Sequence, residues 1–286
     1  MKILITGATG QLGKCIKDVS IHYPAHNYLF LSRKDLDITN KEAIQVLFDK
    51  EKFNFCINAA AYTHVEKAES NQEKAFLVNR EGTKNIAEQC KKNNTTMIQI
   101  STDYVFDGEK GAPYTEEDLT NPINVYGASK LAGEKMVQEY CKKHYIIRTS
   151  WLYSQYGYNF FNTILRIAKE KKSLTVTSEQ TGTPTNANDL AEAILFFINS
   201  DSTKYGIYNF SNQGKATWYD FAKEIMKMGK IDCIINPIET FQYPTPAKRP
   251  HYSLLNKSKI KDTFNITIPY WKDSLDKCLK VMGERK

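Results

Sequence analysis

The 286-residue sequence predicts an α/β chain: a doubly wound parallel sheet followed by a smaller C-terminal lobe. Two observations carry this expectation. Short apolar runs alternate with helical patterns through the first half, the rhythm of strand–helix–strand units whose sheet is covered on both faces. After Ser150 that rhythm loosens into aromatic-rich and proline-rich segments.

The runs at 2–6, 28–31, 54–58, 96–100 and 144–149 read as strands. The stretches around 11–20, 40–51, 71–92 and 126–142 read as the helices between them. Beyond 150, aromatics cluster at 151–161 and a helix runs to about 171. Pro237, Pro244, Pro246 and Pro250 then punctuate a long loop. A chain this long can bury one large core or two unequal lobes. The expected division is a first domain over 1–150, to which residues about 174–200 can return, and a smaller lobe over 151–286.

Composition narrows the function classes. Hydrophobic residues make up 41% and charged residues 25%, as in globular enzymes. Net charge is +7, but the basic residues are scattered, which argues against a nucleic-acid tract. Mild positive charge suits an anionic substrate or a lysine-rich solvated surface. The six cysteines show no C-x-x-C pair and read as reduced thiols, and the five histidines lack ligand spacing, so no metal is expected. The run Ile3-Leu4-Ile5 is too short for a signal peptide and no span approaches membrane length, so a cytoplasmic protein without membrane contact is expected.

The first strand leads directly into Gly7-x-x-Gly10-x-x-Gly13, and a helical pattern follows. Glycines serve where a turn is tight and where backbone must approach a pyrophosphate, whose charge then meets the N–H groups of the helix start. This predicts a Rossmann-type dinucleotide site, although the spacing is one residue longer than G-x-G-x-x-G. The second strand ends in Ser32-Arg33-Lys34, where an NAD site places a carboxylate. Arg33 can accept the 2′-phosphate of NADP, so NADPH is expected, with NADH possible because Asp35 and Asp37 follow closely. The third strand runs into Asn58-Ala59-Ala60-Ala61-Tyr62-Thr63, small residues that permit close passage of a cofactor.

Tyr126 and Lys130 stand four residues apart, on one helical face, after the strand that ends in Ser101-Thr102-Asp103. There an ammonium can stabilise a phenolate and draw the tyrosine from its free pKa of about 10 toward working pH. Two Tyr-x-x-x-Lys pairs occur, about what chance supplies in a chain with 17 tyrosines. The other, Tyr219/Lys223, lies in an ordinary amphipathic helix start, so context favours Tyr126.

Taken together these segments resemble the extended short-chain dehydrogenases/reductases and, within them, the dTDP-4-dehydrorhamnose reductase family. The matching residues are Gly7–Gly13, Asn58–Glu69, Ser101–Gly108, Asn124–Glu134, Arg148–Trp151 and Tyr243–Pro250. The resemblance implies NADPH-dependent reduction of dTDP-4-dehydro-L-rhamnose to dTDP-L-rhamnose, in polysaccharide biosynthesis. It implies Tyr126 as proton donor, Lys130 as its partner and ribose ligand, and Thr102 as hydrogen-bond partner of the reacting oxygen. It sets Val65, Asp103 and Trp151 against the substrate and Gly10, Gln11, Leu12, Asp37, Ile38, Ala60, Ala61, Tyr62 and Thr63 against the cofactor. Arg249, whose planar fork matches phosphate, is the expected diphosphate ligand. Some members dimerise through a glutamate-held metal. Cys15 occupies one of those positions here, which leaves monomer and homodimer both open. Related dehydratases carry Thr-Asp-Glu at the strand end, where this chain has Tyr104. Another nucleotide-sugar reductase, an epimerase, or a non-catalytic regulatory subunit that binds cofactor remains the alternative.

Overall fold

Five of the apolar runs form strands β1 (Lys2–Thr6), β2 (Asn27–Leu31), β3 (Phe55–Asn58), β4 (Thr96–Thr102) and β5 (His144–Thr149). In this computed structural model, which describes residues 1–200, 202–242 and 244–284, they join Gly206–Asn209 in one parallel sheet. Its order is Gly206–Asn209, β5, β4, β3, β1, β2. Tyr243 of the proline-rich motif lies outside the described residues.

The strands read as nearly continuous apolar runs because both faces are covered. Ile3, Ile5, Ile57, Ile98 and Ile147 pack with the helices Gln11–Val19 and Ala187–Asn199. The alternate residues Leu4, Cys56, Met97 and Ile146 pack on the other side with Lys41–Lys50 and Thr83–Lys92. Each fully buried aliphatic side chain contributes about 1.5–3 kcal/mol. All six cysteines are buried and unbridged.

The second lobe has its own core, built on Tyr153, Phe161, Phe221, Ile225, Trp271 and Leu275. Ser173–Thr177 pairs there with Ile234–Ile238. Pro237 is thus part of a strand, not of the long loop expected; a two-stranded sheet has only edge strands, where a proline is tolerated. The chain meanwhile returns to the main sheet through Ala187–Asn199 and Gly206–Asn209.

The helical stretch expected at 71–92 is three segments: Gln72–Phe76, a π-helical turn at Leu77–Gly82, and Thr83–Lys92. Such turns concentrate where a side chain must be re-aimed. Here the side chain is Asn79.

Candidate active site

The strand order reverses at β1, with β2 on one side and β3 on the other. Parallel sheets open a ligand crevice at the carboxyl ends beside such a reversal. Gly7 has φ +66°, and a Cβ there would lie 2.7 Å from the Ala60 nitrogen, so only glycine fits between the two strand ends. A chain of side-chain hydrogen bonds fixes those ends. Thr6 Oγ1 donates to Asn58 Oδ1 at 2.6 Å, Asn58 Nδ2 to Gln99 Oε1 at 2.8 Å, and Gln99 Nε2 to the Ile100 carbonyl at 2.9 Å.

Gly10 precedes the helix Gln11–Val19 in extended conformation and offers no side-chain cap. The first-turn N–H groups are left to a ligand, and the macrodipole makes that ligand an anion. Gly7, Gly10 and Gly13 thus fit a pyrophosphate. Leu12 and Ile38 are buried in the core layers, so only their backbone can face a cofactor. Ala60, Ala61, Tyr62 and Thr63 follow β3 beside Gly7. Asn79 holds this segment: its Oδ1 accepts from Tyr62 N at 2.8 Å, and its Nδ2 donates to Tyr62 O at 3.0 Å and Ser129 Oγ at 2.9 Å. The cofactor loop is thereby tied to the helix that carries Tyr126. At the end of β2, Arg33 Nε pairs with Asp37 Oδ2 at 3.1 Å, and Asp37 Oδ1 accepts from the Thr39 amide and hydroxyl.

Thr102 ends β4. Tyr126 is the second residue of the helix Val125–Tyr140, whose start is fixed by Asn124 accepting from Gly127 N at 2.8 Å. A Cβ on Gly127 would fall 2.1 Å from the Tyr104 carbonyl, so glycine lets this helix press onto the strand end. The structure thus brings Tyr126 against the end of β4, close to the Thr102 hydroxyl. Burial pushes Tyr126 up to about 12, opposed by the Thr102 hydroxyl. The lowering expected from Lys130 is therefore corrected. Lys130 Nζ donates to the Ile100 carbonyl at 2.6 Å, while burial and the nearby Asp103 raise the phenol. Lys130 itself is buried and falls to about 8, with Glu134 holding it up against desolvation.

Glu134 anchors this region from behind. It accepts from Ser101 Oγ at 2.5 Å and forms a buried pair with Arg148 Nη2 at 2.7 Å. Asp103 is also buried, and desolvation raises it to about 7 against hydrogen bonds from Ser253 and Thr102. Tyr104 stands edge-on to Tyr126, centroids 5.9 Å apart, and the nearby Arg249 charge opposes the rise that burial gives its hydroxyl. Arg249 is paired with Glu66 and donates to Thr245 Oγ1 at 2.7 Å, which folds the proline-rich loop over the site. Val65, half-buried, starts the helix Val65–Ser70 on the same side. Trp151 is less directly placed: its ring stacks on Trp218 at 3.7 Å and 9°, while its backbone holds φ +45°. Lys223 lies over the Tyr219 ring in a capped helix, away from these groups.

Neither Asn79 nor Glu134 has a role in the sequence reading above. Glu134 was recoverable, since it lies one helical turn beyond Lys130; Asn79 carried no signal. Among the described residues no group of His, Cys, Asp and Glu could hold a metal, and no helix is long and apolar enough to cross a membrane. Cys15 is buried in the sheet core.

Residues 1–283 match the family described as RmlD substrate binding domain. The chain belongs to this family. It is 39% identical over 284 residues to the dTDP-4-dehydrorhamnose reductase of Aggregatibacter actinomycetemcomitans, covering 96% of this chain and 97% of the relative. The crystal structure of such a reductase from Clostridium acetobutylicum superposes with TM-score 0.95 at 40% identity, covering 99% of this chain and all of the other. That of the Bacillus anthracis reductase, in complex with NADP, gives TM-score 0.95 at 35% identity over 98% and 99% of the two chains.

Proposed function

We propose that this chain reduces the 4-keto group of dTDP-4-dehydro-L-rhamnose to the alcohol of dTDP-L-rhamnose, using NADPH. The observation that carries the reading is the packing of Tyr126 at the end of β4, where Gly127 lets its helix close onto the Tyr104 carbonyl beside Thr102, on the sheet edge that carries the Gly7–Ala60 crevice. The Gly7–Gly13 turn, Ala60–Thr63 and Lys130 would hold NADPH, which when bound would supply the hydride.

The protein's part is to position the ketone and deliver one proton. A tyrosine raised to about 12 stays protonated at neutral pH, as a donor in the reductive direction must. As negative charge develops on the sugar oxygen, the Tyr126 proton moves to it, leaving a phenolate beside Thr102. Lys130 supplies nearby positive charge that favours the phenolate. Reduction needs no further acid–base pair, which accords with Tyr104 standing where related dehydratases carry glutamate. Asp103, Val65 and Trp151 are assigned to the sugar nucleotide. Arg249 is assigned to the diphosphate, which would compete with Glu66 for its guanidinium. Arg33 is assigned to the 2′-phosphate.

The test is oxidation of NADPH with dTDP-4-dehydro-L-rhamnose and, at equal concentration, other 4-keto nucleotide sugars. One rhamnosyl product per NADPH, with the highest kcat/KM for the first substrate, is expected. A higher kcat/KM for another sugar would overturn the substrate assignment.

A further inference from the structure

The helix that starts the dinucleotide site is bound along one face to the second lobe. Gln11, Lys14 and Asp18, spaced three and four residues apart, share that face. Asp18 Oδ2 accepts from Tyr156 OH at 2.8 Å, and the Lys14 ammonium lies 5.3 Å from the Tyr156 ring centre. Gln11 does most. Its Nε2 donates to the Leu152 carbonyl at 3.1 Å, and its Oε1 accepts from Asn159 Nδ2 at 2.7 Å and Ser154 Oγ at 3.2 Å. One amide thus spans three points of the segment 152–159, which directly follows Trp151. Ser154 is fully buried and Asn159 is 8% exposed, and all three bonds are at least partly buried.

Gln11 is also the first residue of the helix, so its backbone N–H is among the uncapped donors facing the crevice. The same residue therefore has its backbone at the pyrophosphate turn and its side chain in the second lobe. We propose that Gln11 is a positioning residue that transmits dinucleotide binding to the loop 152–159, so that filling the glycine turn orders the segment beside the sugar-nucleotide site. An anion at the helix start fixes the Gln11 backbone, and its three side-chain hydrogen bonds then fix the loop. This rests on the glycine turn being a dinucleotide site, as proposed above.

The experiment is amide hydrogen exchange at residues 152–159 with and without NADP⁺ as the only ligand, together with calorimetric titration of NADP⁺. In the parent, NADP⁺ should slow exchange there by about fivefold or more, the low end of ordinary site–site coupling. In Gln11→Ala and in Gln11→Met, which keeps length but not hydrogen bonds, NADP⁺ should still bind while the protection falls below about twofold. Ser154→Ala, which removes one contact from the other side, should give an intermediate value. Protection that persists in both Gln11 variants would overturn the proposal, even if their Tm falls. Should neither Gln11 variant fold, unchanged protection in Ser154→Ala would count against it in the same way. NADP⁺ binding to the parent with no loop protection would overturn the coupling alone. No binding of NADP⁺ to the parent would overturn the cofactor reading together with the coupling.

Discussion

Replacing Glu134 with glutamine tests the buried frame behind Lys130. The Arg148 and Glu134 side chains are 3% and 1% exposed. Arg148 donates from Nη2 at 2.7 Å to one carboxylate oxygen and from Nε at 3.0 Å to the other, which also accepts from Ser101. Glutamine keeps the shape but leaves the buried guanidinium without its paired carboxylate, with Glu116 as a further acidic neighbour. Breaking one side of such a pair costs about 3–5 kcal/mol. At about 2–4 °C per kcal/mol for chains of roughly this size, Tm should fall by about 6–20 °C. A second effect reaches the site. Glu134 is the charge that opposes desolvation at Lys130, so its loss should carry Lys130 further below its present value of about 8. Turnover should then decline at lower pH than in the parent. Calorimetry and a pH profile of kcat measure the two effects. Pairing Glu134→Gln with Arg148→Met removes both charges and should recover more than half of the lost stability. A single variant within about 1 kcal/mol of the parent, or a double variant less stable than the single, would refute the reasoning.

Tyr126→Phe should lower kcat by about 10²–10⁴-fold, while its Tm changes little because the ring packing on Tyr104 survives; Tyr219→Phe is the control, and equal steady-state losses would void the assignment. In the parent, kcat should fall as pH rises through about 8, where Lys130 loses its charge while Tyr126 stays protonated to about 12; a stopped-flow profile that declines only near 12 contradicts this. Trp151→Ala should raise KM for the sugar nucleotide more than for NADPH and lower stability through loss of the Trp218 stack. Trp151→Gly should be more stable than Trp151→Ala by about 1 kcal/mol in denaturant titration, because φ +45° suits glycine. Arg33→Ala should lower kcat/KM roughly tenfold for NADPH and hardly at all for NADH, a modest loss for a charge-assisted contact because Arg33 is exposed and shared with Asp37; a parent that strongly favours NADH would sink it.

The sequence by itself determined the sheet and the crevice. Strands such as Lys2–Thr6 and His144–Thr149 are buried on both faces, so they had to be written as apolar runs. In a parallel sheet the polar residues that end those runs face one edge, so Gly7, Asn58, Thr102 and Tyr126 could be assigned to a common site from order alone. The strand Gly206–Asn209 escaped notice because four residues with a glycine carry too little pattern, and its membership depends on pairing with β5. Tertiary structure alone decided how the site is braced. Gln11 meets Leu152 across 141 positions and Glu66 meets Arg249 across 183, and no local periodicity encodes such partners. It also decided the electrostatics: the four-residue spacing placed Lys130 on the face of Tyr126, but burial, opposed by Thr102 at the tyrosine and by Glu134 at the lysine, set the proton affinities. A spacing specifies which groups are near; the dielectric around them and the competing hydrogen bonds exist only once the chain has folded.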